Sequence, residues 1–175
     1  KPFVMTEYGK IQNMKDFKKL AMTDFGEAQK LFRSKMFGEL LKYEDARITS
    51  LYSNMRKWAL DEQAMEEFLV GTKLKEKIYL LFPEEEKEFP HLFESTKEAV
   101  IVSKNTWGYL PIKVRAEGDF LEVLKKEIST DDFVGMNYYL EYIVNVKKLH
   151  GGNNFGKIYV ETPYETIGYP VTVHQ

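Results

Sequence analysis

No cysteine occurs among the 175 residues. That excludes a disulfide framework, thiolate metal sites and a cysteine nucleophile together. Long apolar runs are missing as well, and no stretch approaches the length needed to span a bilayer. Nor does charge of one sign dominate. With 25 Lys and Arg against 27 Asp and Glu the net charge is −2, and neither half, divided at Thr72, is strongly basic. A phosphate-neutralising surface, and so a nucleic-acid partner, is not expected. Histidine is scarce: His91, His150 and His174 fall in a proline loop, a turn and a terminal strand, and no helical or hairpin spacing links any two. No metal site or cofactor is expected from them.

What remains is a globular composition, 43% hydrophobic and 30% charged, on a chain long enough to bury a core without staples. The chain opens at Lys1-Pro2 with no apolar leader and stops at Gln175 directly after a strand. It reads as a piece of a longer protein, an expectation that leaves the compartment open.

From Asn13 to Gly71 the apolar period is helical. Asn13 caps a helix burying Met14, Phe17, Leu20 and Ala21; Thr23 caps the next, which presents Phe25, Ala28, Leu31 and Phe32. A break near Ser34 precedes a piece carrying Met36, Phe37, Leu40 and Leu41. The spacing then predicts a helix over Glu44 to Ala59, with Ile48, Leu51, Tyr52, Met55 and Trp58 on one buried stripe. A last helix runs from Asp61 to Val70, with Gly71 where a left-handed cap belongs.

After Gly71 the period changes to two. Strands are expected at Lys75–Leu81, Glu98–Lys104, Trp107–Arg115, Phe120–Ile128, Tyr138–Val146, Phe155–Thr162 and Thr166–His174, with Glu84 to Glu94 an ordered loop. Leu110, Ile112 and Val114 share a face, as do Leu140, Tyr142 and Val144. Short strands without intervening helices describe a β-sandwich. The expected fold class is therefore α+β: a helical subdomain over 1–72, a bundle of short helices, and an immunoglobulin-like antiparallel β-sandwich over 73–175.

The segment Val146-Lys147-Lys148-Leu149-His150-Gly151-Gly152-Asn153-Asn154-Phe155-Gly156-Lys157-Ile158-Tyr159-Val160, closed by Thr166 to His174, resembles the C-terminal half of BACON-type and related immunoglobulin-like domains of bacterial proteins. With Leu20-Ala21-Met22-Thr23-Asp24-Phe25-Gly26-Glu27-Ala28 and Asn105-Thr106-Trp107-Gly108-Tyr109, the chain is similar to the N-terminal region of large uncharacterised multidomain proteins of gut bacteria. The resemblance implies a domain of unknown function. It transfers a fold and no activity.

The motifs point away from catalysis. A strand, not a helix N-terminus, follows Gly151 to Gly156, so this glycine-rich stretch reads as a hairpin or crossover turn rather than a phosphate cradle. Asp131-Asp132 after Ser129-Thr130 reads as a side-chain-capped turn. Glu84, Glu85, Glu86, Glu122, Glu141 and Glu161 alternate with apolar neighbours as outward strand positions do, and no Gly-x-Ser-x-Gly elbow is present. No enzyme is expected.

Two readings stay open. The first is a non-catalytic structural or protein-interaction module, partnered by neighbouring domains of the same chain or by another protein. The second is a carbohydrate-binding module using Trp107, Tyr109, Tyr138, Tyr139 and Tyr164, which requires two or three exposed coplanar rings. Alternation places one of Tyr138 and Tyr139 outward and the other toward the core. The first reading is favoured, because these rings do not recur as an outward stripe.

Overall fold

Two units share the chain in the computed structural model, which describes residues 1–175. The first is Lys1–Lys77 with Trp107–Tyr109, and the second is Ile78–Thr106 with Leu110–Gln175. No helix is long and apolar enough to cross a membrane.

The first unit opens with a hairpin of Val4–Thr6 (β1) and Gly9–Ile11 (β2), which the apolar pattern did not announce. Five helices follow: Met14–Thr23 (α1), Phe25–Phe32 (α2), Lys35–Leu41 (α3), Ala46–Met55 (α4) and Glu62–Gly71 (α5). Each short helix needs its orphan amides satisfied. Asn13, Asp24, Asp45 and Asp61 accept from the amides of Asp16, Glu27, Ile48 and Ala64 at 2.8–3.1 Å. The second cap is Asp24 rather than Thr23, whose hydroxyl donates back to the Lys19 carbonyl inside α1. Phe17, Phe32, Phe37, Tyr52 and Phe68 meet at the centre with Met65, Leu40 and Leu69.

Trp58 departs from the expected stripe. Helix α4 ends at Met55, so the three-four spacing no longer carries Trp58 inward, and it stands 80% exposed. Gly71 is likewise no left-handed cap. It stays helical, the positive φ falls at Lys73 (63°), and a Cβ at Gly71 would lie 2.9 Å from Leu51 Cδ2. Close approach of α5 to α4, not turn geometry, demands that glycine.

The second unit is a β-sandwich. Leu80–Leu81 (β3), Lys87–Phe89 (β4), Thr96–Lys104 (β5), Pro111–Glu117 (β6), Leu121–Val123 (β7), Glu127–Ser129 (β8), Asn137–Val144 (β9), Asn153–Glu161 (β10) and Thr166–His174 (β11) form two sheets, ordered β4-β11-β10-β6-β8 and β3-β5-β9-β7. Val100, Val102, Leu140, Tyr142 and Val144 from one sheet, and Ile112, Val114, Ile158, Val160, Tyr169, Val171 and Val173 from the other, fill the core between them. The stretch Phe120–Ile128 is two strands in different sheets, and the expected Lys75–Leu81 strand shrinks to β3. The Glu84–Glu94 loop hides β4, which pairs parallel with β11, Phe89 opposite Val173. Gly151 and Gly152 lie on a crossover between sheets, from β9 to β10.

Thr130–Asp132 is a 3-10 turn closed by a capping box: Ser129 accepts from Asp131, and Asp132 accepts from Ser129 at 2.9 Å. Lys125, 2.9 Å away, and that backbone amide hold the Asp132 carboxyl below its ordinary 3.8. A carboxylate depressed in the folded state contributes stability above the unfolded value, and that contribution is lost as pH falls below it. Asp132→Ala is therefore expected to cost about 1 kcal/mol at pH 7. The deficit should shrink as pH falls below 3.8 and through the folded value of that carboxyl, and a deficit that does not shrink on acidification would refute the electrostatic origin.

Candidate functional site

The structure distributes the five aromatic candidates between the units. Trp107 and Tyr109 belong to the first, where both are half-buried. Trp107 packs on the helical core, and Tyr109 stacks on Phe25 with centroids 6.5 Å apart. Between them lies the one buried ion pair of the unit. Glu66 and Lys75 are bonded to each other with side chains 1% exposed, and Glu66 Oε1 also accepts from the Tyr109 amide at 2.9 Å. Lys75 Nζ stands 5.2 Å from the Trp107 ring centre, a cation–π contact. Burial pushes the Lys75 ammonium below its ordinary range, and Glu66 opposes that shift. Gly108 has φ +125°, and a Cβ there would sit 2.8 Å from Lys75 Nζ. The segment 107–109 is thus not the start of a strand, as its alternation suggests, but a tight loop against the ion pair.

The other three candidates lie in the sandwich. Tyr138 turns inward against the core and Phe133, at 5.5 Å. Tyr164, in the turn between β10 and β11, rests partly on the core, 6.4 Å from the Tyr79 ring. Tyr139 points the other way and is 58% exposed. Of the five, Tyr139 alone is exposed; the other four are half-buried.

Tyr139 is the centre of a larger feature. The outward positions of the four-stranded sheet follow from strand parity: Lys97, Ala99, Ile101 and Ser103 on β5, and Asn137, Tyr139, Glu141 and Ile143 on β9. Ile101 lies directly opposite Tyr139, and Leu81, 56% exposed, lies opposite Ser103. The turn into β9 adds exposed Val134 and Met136, Met136 accepting from the Lys104 amide at 2.9 Å. At the other end Lys97 and Glu141 neutralise each other at 2.8 Å. The result is a mixed surface, apolar around Tyr139, Ile101 and Leu81, with Ser103 bonded to Asn137, Lys97 paired with Glu141, and Glu122 exposed opposite Ile143. Such contiguous patches, rich in Tyr, Met and Leu, mark protein contacts more than random exposure does.

The outward face of the five-stranded sheet is built differently. Arg115 bonds Glu161 at 2.7 Å, Tyr159 donates to Glu117 at 3.0 Å, and the Arg115 guanidinium lies 4.1 Å over the Tyr159 ring. Exposed Phe155 stands on the same face, which is otherwise largely polar. Sequence alternation could mark both faces as outward, but it could not tell the apolar one from the polar one without the register. The remaining titratable cluster is Glu7, Asp24 and Glu27 in the first unit, whose oxygens lie within 4.8 Å of one another. Two of its members are already engaged: Tyr8 donates to Asp24 at 2.7 Å, lowering that carboxyl, and Lys30 pairs with Glu27 at 3.0 Å.

The model of the family described as "Family of unknown function (DUF5717) N-terminal" matches residues 1–175. No curated protein sequence matches the chain. Among solved structures, tripeptidyl peptidase 2 is similar over 65% of this chain and 11% of its own, with TM-score 0.46 and 11% identity. A PapD-like domain of human CEP192 is similar over 57% of this chain and 84% of its own, with TM-score 0.41 and 6% identity. WR4, an MSP family member of C. elegans, covers 55% of this chain and 96% of its own, with TM-score 0.40 and 9% identity.

Proposed function

The chain belongs to the DUF5717 N-terminal family along its whole length, and from that premise we propose that it is a non-catalytic docking module of a larger multidomain protein. It presents the outward face of the four-stranded sheet to a neighbouring domain of the same polypeptide. The observation that carries this reading is the exposure of Tyr139 and Leu81 around Ile101, which the β5–β9 register places opposite Tyr139. The family description, which is that of an N-terminal region, points to the remainder of such a polypeptide as the occupant. Lys97 and Glu141 pair with each other, and Glu122, opposite Ile143, adds one acidic group at the margin of the patch. The acidic residues considered for catalysis support the same reading: Glu141 and Glu161 are engaged by Lys97 and Arg115 on outward faces of different sheets. A sugar platform of coplanar exposed rings has Tyr139 as its one exposed member.

The 175-residue chain has no cysteine, so an introduced one is its sole thiol. Tyr139→Cys and Leu81→Cys variants are expected to react with a maleimide at least tenfold more slowly in the longer protein than in the 175-residue chain, read by peptide mass. Phe155→Cys, on the opposite sheet, should label equally in both. Equal rates at Tyr139→Cys and Leu81→Cys in the two contexts would sink the proposal.

A further inference from the structure

Histidines that the sequence keeps apart are neighbours in the fold. β4 and β11 run parallel, Phe89 opposite Val173, so the chain leaving β4 carries His91 alongside the end of β11. The Leu92 amide donates to the His174 carbonyl at 3.3 Å and pins the two backbones together. The imidazole centroids of His91 and His174 lie 5.6 Å apart, edge to face at 82°.

A second observation concerns orientation. Asn153 sits directly across from His174 in the β10–β11 ladder, and its Oδ1 lies 3.0 Å from His174 Nδ1. A carboxamide oxygen only accepts, so Nδ1 carries the hydrogen and Nε2 keeps its lone pair. This is the arrangement in which an outer partner fixes the tautomer and direction of a ligating imidazole. The Phe93 ring lies nearly parallel to His91, at 7° and with centroids 6.5 Å apart. Two imidazoles binding one metal at about 2.0–2.1 Å per nitrogen bring their ring centres to about 5–6 Å, the separation found here.

We propose that His91 and His174, with Asn153 as the orienting residue, form a binding site for a borderline divalent metal ion of the zinc, nickel or copper type. Imidazole suits those ions, and a hard ion such as magnesium prefers oxygen ligands. His91 is exposed and His174 half-buried, so the ion can enter from solvent, which completes its shell.

The site is tested by titrating zinc chloride and nickel chloride into the 175-residue chain by calorimetry. Variants His91→Ala, His174→Ala, Asn153→Ala, His150→Ala and Asp24→Asn are run beside it. One saturable zinc or nickel site per chain is expected, with no response to magnesium chloride. His91→Ala and His174→Ala should each weaken it at least tenfold, and Asn153→Ala about tenfold. His150→Ala and Asp24→Asn should leave it unchanged, since His150 Nδ1 is turned to the Gly151 carbonyl and Asp24 lies in the first unit. Because the substituted side chains lie at the surface, unaltered melting curves without metal separate lost ligation from lost fold. No saturable binding, binding that survives His91→Ala or His174→Ala, or binding lost on His150→Ala or Asp24→Asn overturns the proposal.

Discussion

Glu66→Ala is expected to lower the stability of the first unit by about 3–5 kcal/mol at pH 7, the cost of leaving one member of a buried pair unpartnered. The Lys75 ammonium, 1% exposed, loses the carboxylate that compensates its burial, and the Tyr109 amide loses its acceptor. Both tryptophans belong to this unit, so tryptophan fluorescence in a urea titration reports its unfolding. The expected result is a lower midpoint at unchanged slope. The double variant Glu66→Leu, Lys75→Met should lie closer to wild type than Glu66→Ala, because it removes the charge together with its partner.

Dependence on pH carries the sign. Burial lowers the Lys75 pKa in the folded state and Glu66 raises it, so removing Glu66 lowers it further. Between the folded pKa and the ordinary 10.5 the unfolded chain binds more protons, and stability rises with pH. The deficit of Glu66→Ala should therefore shrink from pH 7 to pH 10. A deficit that stays constant or grows would place its origin in packing rather than in the stranded charge.

This ion pair shows where sequence reasoning stops. Lys75 reads as the first residue of a strand, Glu66 as a polar position of a helix, and Trp107 as the start of another strand. Each local reading is sensible. What overrides them is Gly108 at φ +125°, which turns the chain so that Tyr109 can donate to Glu66. A buried charged pair leaves no periodic signature, because both members stand where a solvated residue would serve locally. The same limit hid β4. Its Lys87-Glu88 carries no strand alternation, and its pairing with β11 spans 84 residues of sequence between Lys87 and Val171. With it went the meeting of His91 and His174.

Elsewhere the pattern was sufficient. Asn13 caps α1, the inward stripes of β6, β9, β10 and β11 are buried as alternation requires, and Tyr138 and Tyr139 divide between core and solvent. Period-two burial is a local property of a strand with one wet face, so it survives without knowledge of the partner strand. Trp58 shows the converse. A three-four stripe is meaningful only while the helix lasts, and α4 stops three residues before it.

Phe37→Ala should cost the first unit about 3–5 kcal/mol, as much as stranding Lys75. Its ring is 0% exposed and lies at the centre of an aromatic group: 4.6 Å from Phe17, 4.9 Å from Tyr52, 5.3 Å from Phe32 and 5.5 Å from Phe68. Tilted and edge contacts of this kind add about 0.5–1.5 kcal/mol per pair beyond the area they bury. Four surrounding rings are too rigid to collapse into the space left, so the cavity persists and its full cost is felt. Helix α3 is only 7 residues long and depends on Phe37, Leu40 and Leu41 for its attachment. Fluorescence-detected urea unfolding should show the loss. Met36→Ala, one residue earlier and 40% exposed, should fall within about 0.5 kcal/mol of wild type. Amide exchange at Ile158 and Val160 in the sandwich core should stay at the wild-type rate in Phe37→Ala, since those residues belong to the other hydrophobic cluster. A Phe37→Ala loss no greater than that of Met36→Ala would mean that the aromatic group repacks around the vacancy, and that its geometry is not what holds α3 in place.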